Sequence, residues 1–156
     1  MPRLDRLSQI ARNTILALPV QAHDSAPCAP LSKPLSESRI AIVTTIGIHL
    51  RDDKPFVPAD PSFRVFPSSV TQADVLQSHQ SIGFDRTATQ QDWNVVFPID
   101  RLRELVRRGE LGGLAPRCYS FMGAQRDVTP IVHETAPEVA RRLHEDGADA
   151  VLLTPT

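Results

Sequence analysis

The sequence predicts an α/β fold built on an open, mainly parallel β-sheet with helices on its faces. Short apolar runs rich in β-branched residues recur along the chain and alternate with segments of helical spacing. The run RIAIVTTIGI, at 39–48, is apolar almost throughout, which is typical of a strand buried on both faces of a parallel sheet.

Length and composition agree with one ordinary globular domain. The chain has 156 residues, of which 41% are apolar and 22% charged, and its formal net charge is -1. This balance argues against a strongly basic nucleic-acid-binding protein. No stretch approaches the roughly 20 apolar residues of a membrane span, and the N-terminus lacks the apolar run of a secretory signal. The sequence therefore predicts a soluble, cytoplasmic protein that binds neither nucleic acid nor membranes.

The first 35 residues are predicted to form a separate N-terminal part. Apolar residues at helical spacing between Leu4 and Leu18 predict an amphipathic helix that Pro19 ends. We expect this helix to pack on the body of the protein or on a partner subunit. A polar, proline-rich connection follows it, and 36–156 is predicted to be the α/β domain.

The elements of the α/β domain alternate along the chain. Predicted strands occupy 39–48, 63–67, 93–97, 117–122 and 148–153. Predicted helices are one or two turns within 72–78, a helix opened by Pro98 and closed at Gly109 or Gly112, and a last helix begun by a capping box at Thr135–Glu138. This rhythm predicts right-handed βαβ units, and hence a sheet of the Rossmann-like or flavodoxin-like kind.

The last predicted strand, ADAVLL at 148–153, is apolar enough to be central. A central parallel strand needs a crossover helix after it to cover a face of the sheet, and none follows in this sequence. We therefore expect a sheet that is incomplete at its C-terminal side, or one that another chain completes. An uncovered face favours self-association, so the sequence also predicts a homo-oligomer.

Few familiar motifs are present. The sequence lacks G-x-G-x-x-G, Walker A, G-x-S-x-G and H-E-x-x-H, so nucleotide binding and serine-hydrolase chemistry lose their main support. His49 and His79 lie in predicted loops near strand ends, where open α/β sheets bind ligands. His79 shares its loop with Asp85 and Asp92. That set is typical of an acid–base pair, of a partial metal site in a hydrolase, or of an ordinary hydrogen-bonded loop.

Threonines stand at the predicted tops of two parallel strands, and their hydroxyls either contact a ligand or make ordinary strand-end hydrogen bonds. They are Thr44, Thr45, Thr154 and Thr156. The two cysteines, Cys28 and Cys118, have no C-x-x-C spacing and are predicted to be reduced thiols.

Four runs of the sequence, in order and without large gaps over 34–156, resemble the selenoprotein B family. They are SRIAIVTTIGIHL, SHQSIGFDRTATQQDWNVVFPIDRLREL, LGGLAPRCYSFMG and TAPEVARRLHEDGADAVLLTPT. The family contains the substrate-reducing subunits of glycine, sarcosine and betaine reductases and of D-proline reductase, and the sequence is most similar to the D-proline reductase branch.

The resemblance implies a nucleophile beyond the end of this sequence. In the family, the strand matching 148–153 leads into a loop with a selenocysteine, or with a cysteine in some relatives. The sequence stops at Thr156, directly before that position, so we expect the next codon to be UGA. The chain itself is then expected to hold no catalytic nucleophile, no metal and no cofactor, and to be inactive alone.

The resemblance also implies partners and a substrate pocket. A partner subunit with a pyruvoyl group activates the amino group of the substrate, the C–N bond is cleaved reductively, and thiol redox proteins supply the electrons. Pocket candidates are Thr45, His49, His79 and Asp85, with Thr154 and Thr156 flanking the missing residue. Cys118 matches a strand and not the nucleophile position. The alternative is a non-catalytic α/β ligand-binding or scaffold module of the same fold.

Overall fold

The computed structural model describes residues 4–17, 29–79, 84 and 86–155. Its contacts divide the chain into two units, 1–30 and 31–156. In the first unit, a 3-10 turn at Leu4–Arg6 precedes helix α1, Gln9–Leu16. The Ser8 hydroxyl caps α1 by accepting a hydrogen bond from the Ala11 N–H at 3.3 Å. The predicted amphipathic helix is thus present, and none of its residues is buried.

The second unit contains a five-stranded and a two-stranded sheet. Its strands are β1 (Arg39–Thr44), β2 (Ile48–Leu50), β3 (Phe63–Pro67), β4 (Val75–Gln77), β5 (Gly113–Leu114), β6 (Arg117–Phe121) and β7 (Ala150–Thr154). Its helices are α2 (Arg86–Gln91), α3 (Ile99–Arg107) and α4 (Ala136–Glu145), with 3-10 turns at Leu35–Glu37, Gln72–Asp74 and Trp93–Val95 and a π-helical turn at Ile131–Thr135. Within the described ranges, no helix is long and apolar enough to cross a membrane.

Strand β1 is the centre of the larger sheet. On one side it pairs in parallel with β7, and on the other side its two ends pair in parallel with β5 and β6. Strand β3 pairs antiparallel with β6, and β2 pairs antiparallel with β4 in the smaller sheet. The predicted α/β fold with an open, mainly parallel sheet is confirmed. Among the described strands, β3 and β7 are the two edges of this sheet.

Helices pack on both faces of the sheet. On one face, Ile42 of β1 packs with Phe97 and with Leu102 of α3 in the main core. On the other face, Tyr119 of β6 packs with Val139 of α4 in a smaller core. This arrangement buries both faces of β1, which explains why its sequence is apolar almost throughout.

The predicted strand at 39–48 is in fact two strands in different sheets. Strand β1 ends at Thr44, and Gly47 has a φ of 69°, in the left-handed region that favours glycine. A side chain at Gly47 would also meet the His79 backbone nitrogen at 3.2 Å. The chain turns there and enters β2, which pairs with β4. The predicted helical turns at 72–78 are likewise a short 3-10 turn followed by β4.

The predicted strand at 93–97 is wrong, because this segment forms a 3-10 turn. Trp93 and Phe97 are buried, whereas Val95 between them is 65% exposed. Burial every fourth residue is the spacing of a helical turn and not of a strand. The Asp92 carboxylate accepts a hydrogen bond from the Asn94 N–H at 2.9 Å and so caps the turn. Helix α2 lies in a segment that we predicted to be irregular.

Two predictions near the end of the chain also need correction. The capping box at Thr135–Glu138 does not form, because the Thr135 hydroxyl donates to the Pro61 carbonyl at 3.0 Å and Glu138 binds Arg141 and Arg142. Strand β7 is not central within the described residues, since it pairs with β1 alone.

Candidate functional site

Three hydroxyl side chains form a row across the carboxyl end of the parallel strands. Thr44 of β1 lies in register with Ser120 of β6 on one side and with Thr154 of β7 on the other. Since residues in register on neighbouring strands point to the same face, all three lie on the face that α3 covers. Ligands of open α/β sheets bind at the carboxyl ends of the strands, so this row marks the candidate site.

The end of β7 is fastened to the chain that follows β1. The Thr154 carbonyl accepts a hydrogen bond from the Thr45 backbone N–H at 3.2 Å and lies 3.3 Å from the Thr44 hydroxyl. That hydroxyl also lies 3.4 Å from the Val96 carbonyl and accepts a hydrogen bond from the Ile46 N–H at 3.3 Å. Two predicted site residues, Thr45 and Thr154, are therefore brought together through the backbone.

Two hydroxyls of the row, those of Ser120 and Thr154, are buried without a hydrogen-bond partner in the described part of the chain. Leaving a buried hydroxyl unpaired costs about 1–3 kcal/mol, so such groups normally bond to protein or water. Both hydroxyls therefore lack the partner that a buried hydroxyl normally has, and they lie at the edge of the sheet where ligands of open α/β sheets bind.

His49 is a buried residue whose ring the protein itself engages. It is 1% exposed, and its Nδ1–H donates to the Leu50 carbonyl at 2.7 Å, because a carbonyl oxygen can only accept. Its Nε2 lies 2.8 Å from the Ser78 hydroxyl. Both ring nitrogens are thus occupied within this arrangement, and His49 serves to hold β2 against the end of β4.

His79 lines a hollow of the structure, and the centroid of its ring is 4.7 Å from that of the Phe84 ring. Burial lowers the pKa of its imidazole, and the positive charge of Arg86 lowers it further, so the ring is neutral near pH 7. The Arg86 guanidinium donates a hydrogen bond to the His79 carbonyl. The hollow measures about 330 Å³, and its lining residues are Pro55, Phe56, Ser78, His79 and Arg86.

The structure brings the predicted site residues together in two groups. Thr45 and Thr154 form one group at the strand ends, and His49 and His79 are linked through Ser78, which bonds to His49 and lines the hollow of His79. The remaining candidates, Asp85 and Thr156, lie outside the described residues.

The metal-site alternative depended on Asp92, whose carboxylate has a structural role. It accepts hydrogen bonds from the Asn94 side chain at 2.8 Å and from the Asn94 backbone, and these bonds lower its pKa. Nowhere in the described ranges do three or more His, Cys, Asp or Glu side chains form a group that could hold a metal ion.

Cys118 lies inside the core and not at the site. Its side chain is 1% exposed, and burial raises the pKa of the thiol to about 12. The thiolate, which is the reactive form, is therefore scarce at neutral pH.

Sequence reasoning did not single out Ser120 or Ser78. Ser120 stands in the predicted strand at 117–122, and only the register of that strand against β1 shows that it meets Thr44. Ser78 directly follows β4, a strand that the sequence did not reveal.

A family model covers almost all of the chain. Glycine/sarcosine/betaine reductase selenoprotein B (GRDB) matches residues 4–156. No solved structure gives a significant match.

The chain is similar to subunits of several reductases. It is 42% identical over 126 residues to the D-proline reductase subunit gamma of Acetoanaerobium sticklandii, an alignment that covers 80% of this chain. It is 32% identical to the sarcosine reductase complex component B subunit beta of Peptoclostridium acidaminophilum and 31% identical to the glycine reductase complex component B subunit gamma of Symbiobacterium thermophilum, each over 88% of this chain. The chain spans 51% of the length of the first relative, and 32% and 33% of the other two.

Proposed function

Because the chain belongs to the glycine/sarcosine/betaine reductase selenoprotein B family, we propose that it is part of a subunit of a thiol- or selenol-dependent reductase. The reaction is reductive cleavage of the C–N bond of an amino acid or related amine. The names of the relatives suggest D-proline, glycine, sarcosine or betaine as the substrate. The observation that carries the proposal is the place of β7, whose carboxyl end joins the row of hydroxyls at the top of the sheet.

The proposal places the nucleophile directly after Thr156 in the full-length protein. Strand β7 carries the chain to the carboxyl edge of the sheet, beside Thr44. A selenol or thiol there would supply the nucleophile, and a pyruvoyl group on a partner subunit would supply activation of the amino group. The residues present at this edge fit a reactive site, because the buried hydroxyls of Ser120 and Thr154 lie beside the end of β7.

The residues of this chain position the end of β7 and bind the substrate beside it. The Thr45 N–H and the Thr44 hydroxyl hold the Thr154 carbonyl, and this fixes the direction in which the chain leaves the sheet. His79 lines its hollow as an imidazole that is neutral near pH 7, because burial and the charge of Arg86 disfavour its protonated form.

The proposed reaction balances with two thiols as reductant. The C–N bond breaks and is replaced by one C–H and one N–H bond, while two thiols are oxidised to one disulfide. A thiol redox protein is therefore the required co-reactant, and we place the protein in the cytoplasm, where thiols are kept reduced. The 156-residue chain without the nucleophile is inactive alone, and the working enzyme contains the partner subunit and more than one copy of this subunit.

The chemistry of the described residues favours one alternative for the chain by itself. The single described cysteine is buried with a pKa of about 12, and both nitrogens of His49 are engaged. These features suit a ligand-binding or scaffold module, which would carry out no reduction in the full-length protein either.

The test is turnover by the full-length protein purified with its partner subunit. Each of the four candidate substrates is incubated with dithiothreitol, and the product amine and the oxidised thiol are quantified together. We expect equal amounts of both with at least one substrate. The variant Thr154→Val should lower kcat/KM by about fivefold, the value of one hydrogen bond, because it removes the strand-end hydroxyl.

The matched control for that variant is Thr14→Val. Thr14 is an exposed threonine of α1 whose hydroxyl donates to the Ile10 carbonyl at 2.9 Å, and its loss should leave kcat/KM unchanged. The module alternative holds instead if none of the four substrates is reduced by a complex that contains the downstream segment.

A further inference from the structure

One side of helix α4 and the adjoining face of strand β7 form an exposed apolar trough. Val151 and Leu153 of β7 lie in register with Ala41 and Val43 of β1. Val43 packs in the smaller core beneath α4, so all four side chains lie on the face of the sheet that α4 covers. Val151 and Leu153 are nevertheless 38% and 67% exposed. Helix α4 therefore does not reach across β7.

Helix α4 lies towards the β3 side of this face. The guanidinium carbon of Arg142 is 5.2 Å from the centroid of the Phe63 ring in β3. The Thr135 hydroxyl, directly before α4, donates to the Pro61 carbonyl, which lies just before β3. Thr135 and Arg142 are on one side of the helix, because seven residues make about two turns. That side faces β3, so the opposite side faces β1 and β7.

The side of α4 that faces β7 is small and uncharged. A helix turns about 100° per residue, so Ala140 lies roughly 160° and Ala136 roughly 120° around α4 from Arg142. Both alanines are exposed. The charged residues on the solvent side pair with one another, as Arg141 does with Glu138 at 2.7 Å. Alanine side chains leave room for a second helix to pack at about 8–10 Å between the helix axes.

The α4–β7 trough is thus defined by Ala136 and Ala140 at its side and by Val151 and Leu153 at its floor. All four residues are apolar. A contiguous exposed apolar patch marks an interaction site, and the elements that cover the faces of a mainly parallel sheet are helices. The shape and chemistry of the trough therefore suit an apolar helix face beside α4.

The connections of the sheet indicate which segment covers the trough. The chain passes from β6 to β7 across β1, and α4 carries it over one face of the sheet. Connections of this kind between parallel strands are almost always right-handed. A further parallel strand on the open edge of β7 extends the sheet in the same direction. A connection of the same hand must then cross the same face, and its helix lies beside α4, over Val151 and Leu153.

We propose that the trough is filled by a helix of the segment that follows Thr156 in the full-length protein, and that this helix leads to a strand on the open edge of β7. The present chain spans 51% of the length of the D-proline reductase subunit gamma that it resembles. The inference rests on the proposed function in one respect, namely that the full-length protein continues after Thr156. It places the proposed nucleophile in the turn between β7 and the covering helix.

The experiment measures thiol labelling in the trough. The variant Ala140→Cys is made in the full-length protein, purified without its partner subunit, and in the 156-residue chain. Each protein reacts with N-ethylmaleimide at neutral pH, and mass spectrometry follows the labelling of residue 140 with time. We expect labelling in the 156-residue chain and labelling at least about tenfold slower in the full-length protein, because a covered thiol reacts only when the cover opens.

The matched control is Arg141→Cys, one residue further along and on the solvent side of the same helix. The Arg141 side chain is 56% exposed, so this cysteine should be labelled at the same rate in both proteins. A helix of the same chain protects residue 140 at every protein concentration. Protection that is lost on dilution would assign the trough to a second copy of the protein, and protection that needs the partner subunit would assign it to that subunit. Either result overturns the proposal.

A second variant, Ala140→Glu, tests the same claim without labelling. It should lower the thermal unfolding midpoint of the full-length protein by at least about 5 °C, because it adds an unpaired charge under the covering helix. The midpoint of the 156-residue chain should stay unchanged, since residue 140 is exposed there. Equal effects in both proteins contradict the proposal, as does equal labelling of Ala140→Cys.

These readouts need no turnover, so the two proposals fail separately. A full-length protein that reduces a substrate but leaves Ala140→Cys open to labelling contradicts the covering helix alone. A protein that protects Ala140→Cys and reduces none of the four substrates contradicts the proposed function alone.

Discussion

The two edges of the main sheet are protected very differently. Strand β3 is tied to the chain that precedes it by the side chain of Arg64. Arg64 donates hydrogen bonds to the Lys54 carbonyl at 2.8 Å and the Ser62 hydroxyl at 2.7 Å, and pairs with Asp60 at 3.3 Å. Pro67 ends the strand without an N–H to offer a further strand.

The edge formed by β7 has no such protection among the described residues. Its Leu152 packs into the main core, but Val151 and Leu153 point to the opposite face and are 38% and 67% exposed. An apolar strand with an open edge is a surface on which another segment can pair or pack. The comparison shows that β3 ends the sheet at a strand held by its own ion pair, whereas β7 ends it at an apolar edge that carries the candidate site.

The largest expected effect separates the two edges by stability. The variant Arg64→Ala removes the cation that pairs with the Asp60 carboxylate, and the Asp60 side chain is only 12% exposed. We expect a loss of about 3 kcal/mol in the free energy of unfolding, measured by urea titration at pH 7. On the β7 side, Lys33→Ala breaks the ion pair of Lys33 with Asp149 at 2.8 Å and should cost much less, because that pair is more exposed. Equal losses would show that the two edges do not differ.

The second prediction concerns association through β7. The 156-residue chain should self-associate, and Leu153→Asp should raise the dissociation constant at least about tenfold, because it removes an exposed apolar side chain from the contact. Light scattering over a concentration series measures this. Val95→Asp, at another exposed valine, should leave association unchanged. A wild-type chain that stays monomeric contradicts the interpretation of β7 as an open edge.

A smaller effect on the free energy of unfolding is expected when the pH is lowered and Asp60, the partner of Arg64, is protonated. Burial raises the pKa of Asp60, but hydrogen bonds from Ser62 and the charge of Arg64 outweigh it, so the net pKa lies below its ordinary value of 3.8. A lowered pKa in the folded state gives stability that is present above the unfolded value and is lost as the pH falls below it. Asp60→Asn should therefore destabilise the protein at pH 7 and by less at about pH 3. The same difference at both pH values would contradict this.

Much of the fold could be predicted because β1 and β7 are apolar runs rich in β-branched or aliphatic residues, although the sequence did not show where β1 ends. The failure at 93–97 has a physical cause, since a five-residue apolar run fits a strand and a helical turn equally well. The Asp92 cap and the bond from Trp93 to Asp100 decide the outcome, and both carboxylates lie outside the run. Likewise, the Thr135 hydroxyl binds the distant Pro61 carbonyl instead of its own helix.

The candidate site could be predicted as far as the backbone determines it. Thr45 and Thr154 meet because parallel strands end at one edge, which the sequence pattern shows. His49 was expected in a loop near that edge, but it lies within strand β2 of the smaller sheet. The sequence contains no sign that Leu50 and Ser78 engage both of its nitrogens.

The central claim is that the end of β7 leads into a reactive selenol or thiol. The most direct measurement treats the full-length protein with iodoacetamide at pH 7, before and after reduction, and maps the modified residues by mass spectrometry. The account predicts a rapidly alkylated selenocysteine or cysteine directly after Thr156, while Cys118 stays unmodified in the folded protein because it is buried with a pKa of about 12. A full-length protein with neither selenium nor a reactive cysteine at that position would contradict it.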